Sequence, residues 1–321
     1  MPHCRRFSGN FQFPLGKDVV EIVALPMLLH LRFFEERVIL RRRRVCRNTR
    51  MTDSYWHNKV VVITGGSSGF GRIIAETFHR AGAKLALVAL EKPDVERAAA
   101  EINATGIEGS TLPIHADITQ QEDVDRIFET VKKHFAQLDV LVNNAGRTSR
   151  GTVLGTTPEQ FQTLFDLNVL GTIRCTRAAV PMLLERQGHI VNIGSLAAKS
   201  AAKYVGAYPV SKFAVAAYSQ QLRLELGPKG LHVLLVCPGP IRRDNERLYP
   251  LEGLEDIPES ARRPGAGVKV KRIEPNYLAQ KILAYCERRK PELVLPGKAR
   301  ILFALTQLFP SFGDWLVQRS T

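Results

Sequence analysis

From Lys59 onward the chain alternates short runs of β-branched and aliphatic residues with longer amphipathic stretches, and nothing else restricts its fold as much. A run such as Val60 to Thr64 is apolar at almost every position, so the strand it forms is buried on both faces. Buried strands separated by helix-length segments lie parallel, joined by right-handed crossovers that put helices on both faces of the sheet. Strands are expected at Val60 to Thr64, Leu85 to Leu90, Ser110 to His115, Leu138 to Val142, His189 to Ile193, His232 to Cys237 and Leu293 to Leu295. Helices are expected from Phe70 to Ala81, through Ile102, from Gln120 to Phe135, in one long stretch from Pro158 toward Arg186, from Tyr208 to Leu226 and from Tyr277 to Arg289. The expected class is α/β: a single doubly wound domain over 51–297, with a mostly parallel sheet of six or seven strands and helices on both faces.

The loop after the first strand reads Thr64-Gly65-Gly66-Ser67-Ser68-Gly69-Phe70-Gly71 and opens a helix. Its glycines let the backbone turn tightly against a pyrophosphate, and the helix N-terminus aims N–H groups and partial positive charge at the same place. The domain is therefore of Rossmann type, although T-G-x-x-x-G-x-G differs from G-x-G-x-x-G. No Gly-Lys-Ser/Thr closes the loop as in a P-loop. Downstream, Ser195 precedes Tyr208 by 13 residues and Lys212 follows four later. A phenol with a pKa near ~10 is a poor base at neutral pH. On a helix, a lysine four residues on shares its face, and the ammonium stabilises the phenolate. Ser195 would then bind the substrate oxygen. Tyr and Lys at this spacing are common on ordinary helices. Their order after the glycine loop and after Asn143-Asn144-Ala145-Gly146 gives the pair its meaning.

These motifs, with Asn168 in Asn-Val-Leu-Gly and the Pro238-Gly239 pair, resemble the short-chain dehydrogenase/reductase superfamily from about Lys59 to Leu295. The resemblance implies reversible hydride transfer between nicotinamide and a carbonyl or secondary alcohol carbon. It implies Tyr208 as general acid/base, Ser195 as the hydroxyl that orients the substrate oxygen, Lys212 as pKa modulator and ribose ligand, and Asn168 as holder of a relay water. Cofactor contacts would come from Gly65, Ser67, Ser68, Gly69, Phe70 and Gly71, from Asp117 at the adenine, and from Asn144, Ala145 and Gly146 on the ribose side. Tyr208, Lys212, Pro238, Gly239 and Ile241 complete that set. Two departures stand out. Ala89 replaces the family's NAD-selecting Asp, while Leu90 and Ser68 replace frequent NADP-binding cations. Glu91 disfavours a 2′-phosphate, whereas Lys92, Arg72 or Ser67 could accept one, and the balance leans to NADP(H) over NAD(H). Past Gly239, Pro240-Ile241-Arg242-Arg243-Asp244 lacks the usual Thr that anchors the carboxamide.

The net charge of +14 is unevenly placed: residues 1–50 carry eleven cations and four acids, 11 − 4 = +7, half of the total. Residues 1–50 are expected to be a solvated basic extension, or translated sequence upstream of a start at Met51. Arg41 to Arg44 alone would suit nucleic acid, which is set aside as a partner. Val19 to Leu31 is too short to span a bilayer and lacks the charge order of a secretory signal, though it could lie on a membrane surface. Five scattered cysteines without C-x-x-C indicate a reducing, cytoplasmic setting and no metal site. Pro240 to Pro275 has the composition of a flap over the ligand crevice. The apolar segment 298–321, centred on Lys298 to Val317, would close the substrate pocket, contact a second copy or anchor to a membrane surface. The partners expected are a small-molecule carbonyl or alcohol, further copies of the chain in a homo-oligomer, and possible membrane surface. Two other readings are a non-catalytic dinucleotide sensor or scaffold, and a membrane-surface reductase of lipid, steroid or retinoid.

Overall fold

The computed structural model describes residues 54–106, 109–243, 257–263 and 270–320. The basic extension, with its Val19 to Leu31 segment, and much of the expected flap (244–256 and 264–269) lie outside them. Seven strands form one wholly parallel sheet: β1 (Val60–Thr64), β2 (Lys84–Ala89), β3 (Thr111–His115), β4 (Val140–Asn143), β5 (His189–Ile193), β6 (His232–Pro238) and β7 (Glu292–Leu295). Their order, β3-β2-β1-β4-β5-β6-β7, reverses between β1 and β4, as in a doubly wound fold. The helices are α1 (Gly69–Arg80), α2 (Lys92–Asn103), α3 (Gln121–Phe135), α4 (Pro158–Phe165), α5 (Gly171–Glu185), α6 (Tyr208–Leu226), α7 (Pro275–Glu287), α8 (Ala299–Leu308) and α9 (Pro310–Ser320).

The two-residue alternation along β1 explains the double winding. Val61 and Ile63 pack with Ile74 and Phe78 of α1 and Ile282 of α7 on one face. Val60 and Val62 pack with Ile127 of α3 and Cys175 and Leu183 of α5 on the other. A strand apolar at every position thus feeds two cores.

Strand and helix limits fall within about two residues of those expected, with two exceptions that matter for the site. The stretch from Pro158 to Arg186 is not one helix: a π-helical turn, Asp166–Leu170, separates α4 from α5. Likewise Lys298 to Val317 is broken at Phe309, because the residue before Pro310 is pushed out of helical geometry (φ −133°, ψ 78°).

At the amino ends of the strands, a buried hydrogen-bond chain closes the sheet. Lys290 O can only accept, so His232 Nε2 carries the proton that reaches it (2.9 Å). His232 Nδ1 then accepts from His189 Nδ1 (2.9 Å), and His189 Nε2 accepts from the Tyr55 hydroxyl (2.9 Å). Both imidazoles are neutral in this chain. Burial foremost pushes His189 down to about 3 and His232 to about 4.

Candidate active site

The site lies at the carboxyl ends of the strands, where the order reverses between β1 and β4. Thr64, the last residue of β1, ties the two ends together: its Oγ1 donates to Val142 O (3.3 Å) and accepts from the backbone N–H of Asn144 and Ala145 (3.1 Å each). The Asn144 amide returns two bonds, to Thr64 O (3.0 Å) and Gly65 O (3.1 Å). Its side chain therefore braces the glycine loop. Gly65 sits at φ 63°, and a Cβ on Gly71 would overlap the Gly65 carbonyl oxygen and Asn144 Nδ2. Only glycine allows this approach. Ser68 caps α1 without a side-chain hydrogen bond, and the first turn has no acidic residue. The first N–H groups of α1 thus meet no carboxylate from their own turn, and the close-packed glycine loop fits a diphosphate.

The opposite wall comes from β5 and α6. Ser195, two residues past β5, opens a short 3₁₀ turn (Leu196–Ala198), and its Oγ accepts from Ala197 N (3.1 Å). Tyr208 is the first residue of α6; its N–H donates to Ser149 Oγ (3.2 Å), whose hydroxyl donates to Val205 O (2.9 Å). Lys212 lies one turn further on, is 7% exposed, and donates from Nζ to Ile193 O (2.7 Å). Its Nζ stands 5.7 Å from the centroid of the Tyr208 ring. Burial pushes this ammonium down to about 8. Gly146 leaves room for Asn168, since a Cβ there would lie only 2.9 Å from Asn168 Oδ1, while Lys212 Nζ would stay at an ordinary contact distance of 3.8 Å.

One open cleft of about 1880 Å³ is lined by Gly65, Ser67, Ser68, Gly69, Phe70, Gly71, Asp117, Asn144, Ala145, Gly146, Ser195, Tyr208, Lys212, Pro238, Gly239 and Ile241. Every catalytic and cofactor residue expected from the resemblance thus lines the cleft except Asn168, whereas the candidate phosphate ligands Arg72 and Lys92 do not. Asn168 lies in the π turn behind the wall, where its amide donates to Arg147 O (2.9 Å) and Ser211 Oγ (3.1 Å) and accepts from Arg147 N (2.9 Å). The side chain is a strut between the strand β4 exit and α6. Asp117 lines the cleft while its carboxylate accepts from Thr119 N (2.9 Å) and Oγ1 (2.8 Å).

Sequence reasoning missed several contributors. Thr64 was visible only as the first letter of the glycine motif, and Ser149 had no motif at all. Leu164 and Leu167 form part of the cleft wall; Leu302, Phe303 and Val317 from the last two helices, the segment read from the sequence as one that could close the pocket, line it as well. Behind the site, Asn143 of the Asn-Asn-Ala-Gly segment faces inward and donates to Thr176 Oγ1 (3.1 Å) and Asn192 Oδ1 (2.9 Å), and Asn192 donates to Ser219 Oγ (2.8 Å).

A doubly wound parallel sheet, a glycine loop at its reversal point and a hydroxyl, phenol and ammonium in one cleft define a dinucleotide-dependent enzyme of the Rossmann class. Comparison with known proteins narrows the class. The family model described as short chain dehydrogenase matches residues 59–249. Dehydrogenase/reductase SDR family protein 7-like of Drosophila melanogaster is 30% identical over 265 residues, covering 81% of this chain and 80% of that protein. The solved L-sorbose reductase from Gluconobacter frateurii, complexed with NADPH and L-sorbose, is 28% identical with a TM-score of 0.65, covering 76% of this chain and 97% of that one. The 3-ketoacyl-(acyl-carrier-protein) reductase from Brucella melitensis, complexed with NADH, is 27% identical with a TM-score of 0.62, covering 74% and 97%. The chain belongs to the short-chain dehydrogenase family and is an NAD(P)-dependent oxidoreductase acting on a small-molecule substrate.

Proposed function

We propose that the cleft interconverts a carbonyl and a secondary alcohol, with Tyr208 as the proton-exchanging group. The observation that carries this reading is the placement of Tyr208 and Lys212 one turn apart on α6, with the Lys212 ammonium fixed by Ile193 O and 5.7 Å from the phenol ring. A bound nicotinamide supplies or accepts the hydride at the substrate carbon. In reduction the Tyr208 hydroxyl gives its proton to the substrate oxygen, and in oxidation the phenolate takes it back. Lys212 supplies positive charge beside the ring at the moment the phenolate forms. Ser195 orients the same substrate oxygen. Asn168 acts by position, holding the Arg147 backbone against α6. The test is Tyr208→Phe, which keeps the ring and removes the proton. Turnover should fall by roughly 10²-fold or more while dinucleotide affinity stays within about twofold. Turnover close to that of the parent protein would sink the assignment.

Cofactor choice follows from charge at the end of β2. There the cleft is lined by Leu90, Glu91 and Asp94 beside Ser67 and Ser68. Arg72, a candidate phosphate ligand, is engaged by Glu76 (2.8 Å) and Glu101 (3.2 Å), and Lys92 pairs with Glu96 at 3.8 Å. A 2′-phosphate would meet two carboxylates, with both nearby cations already paired. This favours NAD(H), against the lean to NADP(H) taken from the sequence. A kcat/KM higher with NADPH than with NADH would refute it.

A further inference from the structure

The last two helices carry more exposed apolar surface than any other part of the described chain. Of fourteen exposed large apolar side chains, five fall between positions 301 and 315: Ile301, Leu308, Phe309, Phe312 and Trp315, each 44–71% exposed. This concentration marks a docking face rather than scattered surface residues. The helices are anchored from behind. Phe303 packs against the core cluster of Leu235, Cys237 and Val294, and Gly313 is pressed on Thr306, where a Cβ would lie only 2.6 Å from its Cα. Phe312 and Trp315 are stacked at 5.7 Å, and the Arg319 guanidinium covers the Trp315 ring at 4.2 Å.

Length and charge say what this face meets. Helices of 10 and 11 residues reach only about 15 Å, half of a bilayer core, so at a membrane they would lie in the interfacial plane rather than span it. Among the described residues no helix is long and apolar enough to cross a membrane. Residues 298–320 carry Lys298, Arg300 and Arg319 against Asp314, 3 − 1 = +2, with Arg300 also paired with Glu292 at 3.6 Å. A self-complementary contact between two copies would bring two such basic faces together, whereas an anionic lipid surface complements them. Aromatic rings beside cations are also the composition of a membrane interface. The same helices turn Leu302, Phe303 and Val317 into the cleft, so whatever the outer face touches is adjacent to the substrate wall.

We propose that α8 and α9 dock this protein on an anionic membrane surface and that the cleft takes an apolar, lipid-dissolved ketone or alcohol from it. The substrate part rests on the oxidoreductase reading above, and the docking part does not. The test uses the full chain with vesicles of phosphatidylcholine alone or mixed with phosphatidylglycerol. Trp56 is 1% exposed with its Nε1 bonded to Glu287 (2.7 Å), so a change in tryptophan emission on adding lipid reports Trp315. Emission should shift to the blue and the protein should float with the anionic vesicles. The double variant Phe309→Ser/Phe312→Ser should bind them roughly tenfold or more weakly. Neither residue lines the cleft, so turnover of a short water-soluble ketone should be unchanged in that variant, while KM for a long-chain ketone presented in vesicles rises by a similar factor. An emission spectrum unmoved by excess anionic vesicles overturns the proposal. So does a shift produced by protein concentration alone, which would assign the face to a second copy. If the parent protein binds vesicles as described but turns over no ketone in either form, docking stands and the carbonyl–alcohol reading falls with the substrate part.

Discussion

Replacing Gly71 by alanine tests whether the loop before α1 is held by close backbone contact or only by turn preference. The new Cβ would overlap the Gly65 carbonyl oxygen and Asn144 Nδ2 and lie 2.9 Å from the Gly65 carbonyl carbon. No rotamer relieves this, because two of the three atoms are backbone and the third is held by bonds to Thr64 O and Gly65 O. The loop has to move. Overpacking of this kind costs about 1–3 kcal/mol, and losing the Asn144 bond to Gly65 O adds about 1 kcal/mol. A loop displaced by that strain no longer presents its N–H groups to a diphosphate, and a loss of about 2 kcal/mol weakens dinucleotide binding roughly 30-fold. Calorimetric titration gives the affinity, and urea unfolding without dinucleotide gives the stability. Gly109→Ala is the control: at φ 74° with no atom near its Cβ, it should cost about 1–2 kcal/mol of stability and leave affinity unchanged. If Gly71→Ala binds the dinucleotide within about twofold of the parent and unfolds at the same urea concentration, the close-contact account is wrong.

Lys212 should leave a mark on alkaline stability. Burial lowers its pKa from 10.5 to about 8, so between these values the unfolded chain holds a proton the folded chain has released, and stability rises with pH across the window by about 3 kcal/mol. Urea unfolding of Lys212→Met at several pH values should show that rise removed; an identical rise in the variant would contradict the assignment. The histidine chain has its window on the acid side. With His232 at about 4 and His189 at about 3, the unfolded state takes up protons first as pH falls below about 6.5, so stability is lost from there toward pH 4. His189→Gln should lessen the drop between pH 6.5 and pH 4 by about 3 kcal/mol in acid titration of unfolding, and an unaltered slope would show that the pair is not neutral in the folded chain. Thr64→Val keeps the shape of the side chain and deletes bonds to Val142 O, Asn144 N and Ala145 N. It should cost about 2–4 kcal/mol of stability with a parallel loss of dinucleotide affinity, read by the same two assays.

The strands and the winding were legible because burial on two faces writes a continuous apolar run, as in Val60 to Ile63 of β1 and Val233 to Cys237 of β6, while β5 is broken by Asn192. The glycine loop, Ser195, Tyr208 and Lys212 were legible because each is a residue type tied to one geometry. The π turn at Asp166–Leu170 was not. One extra residue in a helical turn leaves the apolar periodicity of Phe161, Leu164 and Leu167 nearly intact, yet it moves Asn168 off the cleft wall into the strut between Arg147 and Ser211. The direction of the Asn144 side chain was equally hidden. Asparagine after a strand suits either a ligand or a turn, and only the position of the Gly65 carbonyl decides that it braces the loop. The break at Phe309 had a visible cause in Pro310, but which faces of the two helices look inward depends on the Gly313 contact with Thr306.

The bonds that hold the sheet at its reversal point are the bonds that hold the cofactor loop. Thr64 belongs to β1, pairs with the β4 exit through Val142, and receives the N–H groups that begin the Asn144 to Gly146 segment. Gly146 in turn leaves room for Asn168 Oδ1, which accepts from Arg147 N, and Asn168 reaches Ser211 on α6, the helix that carries Tyr208. A short path of hydrogen bonds and backbone therefore runs from Thr64 to α6, and it predicts that affinity at the glycine loop and alignment at Tyr208 change together. Weakening that path at Thr64 should reduce dinucleotide binding and turnover together. Ser149→Ala, which removes the hydroxyl bonded to Tyr208 N and Val205 O and leaves the glycine loop untouched, should reduce turnover alone.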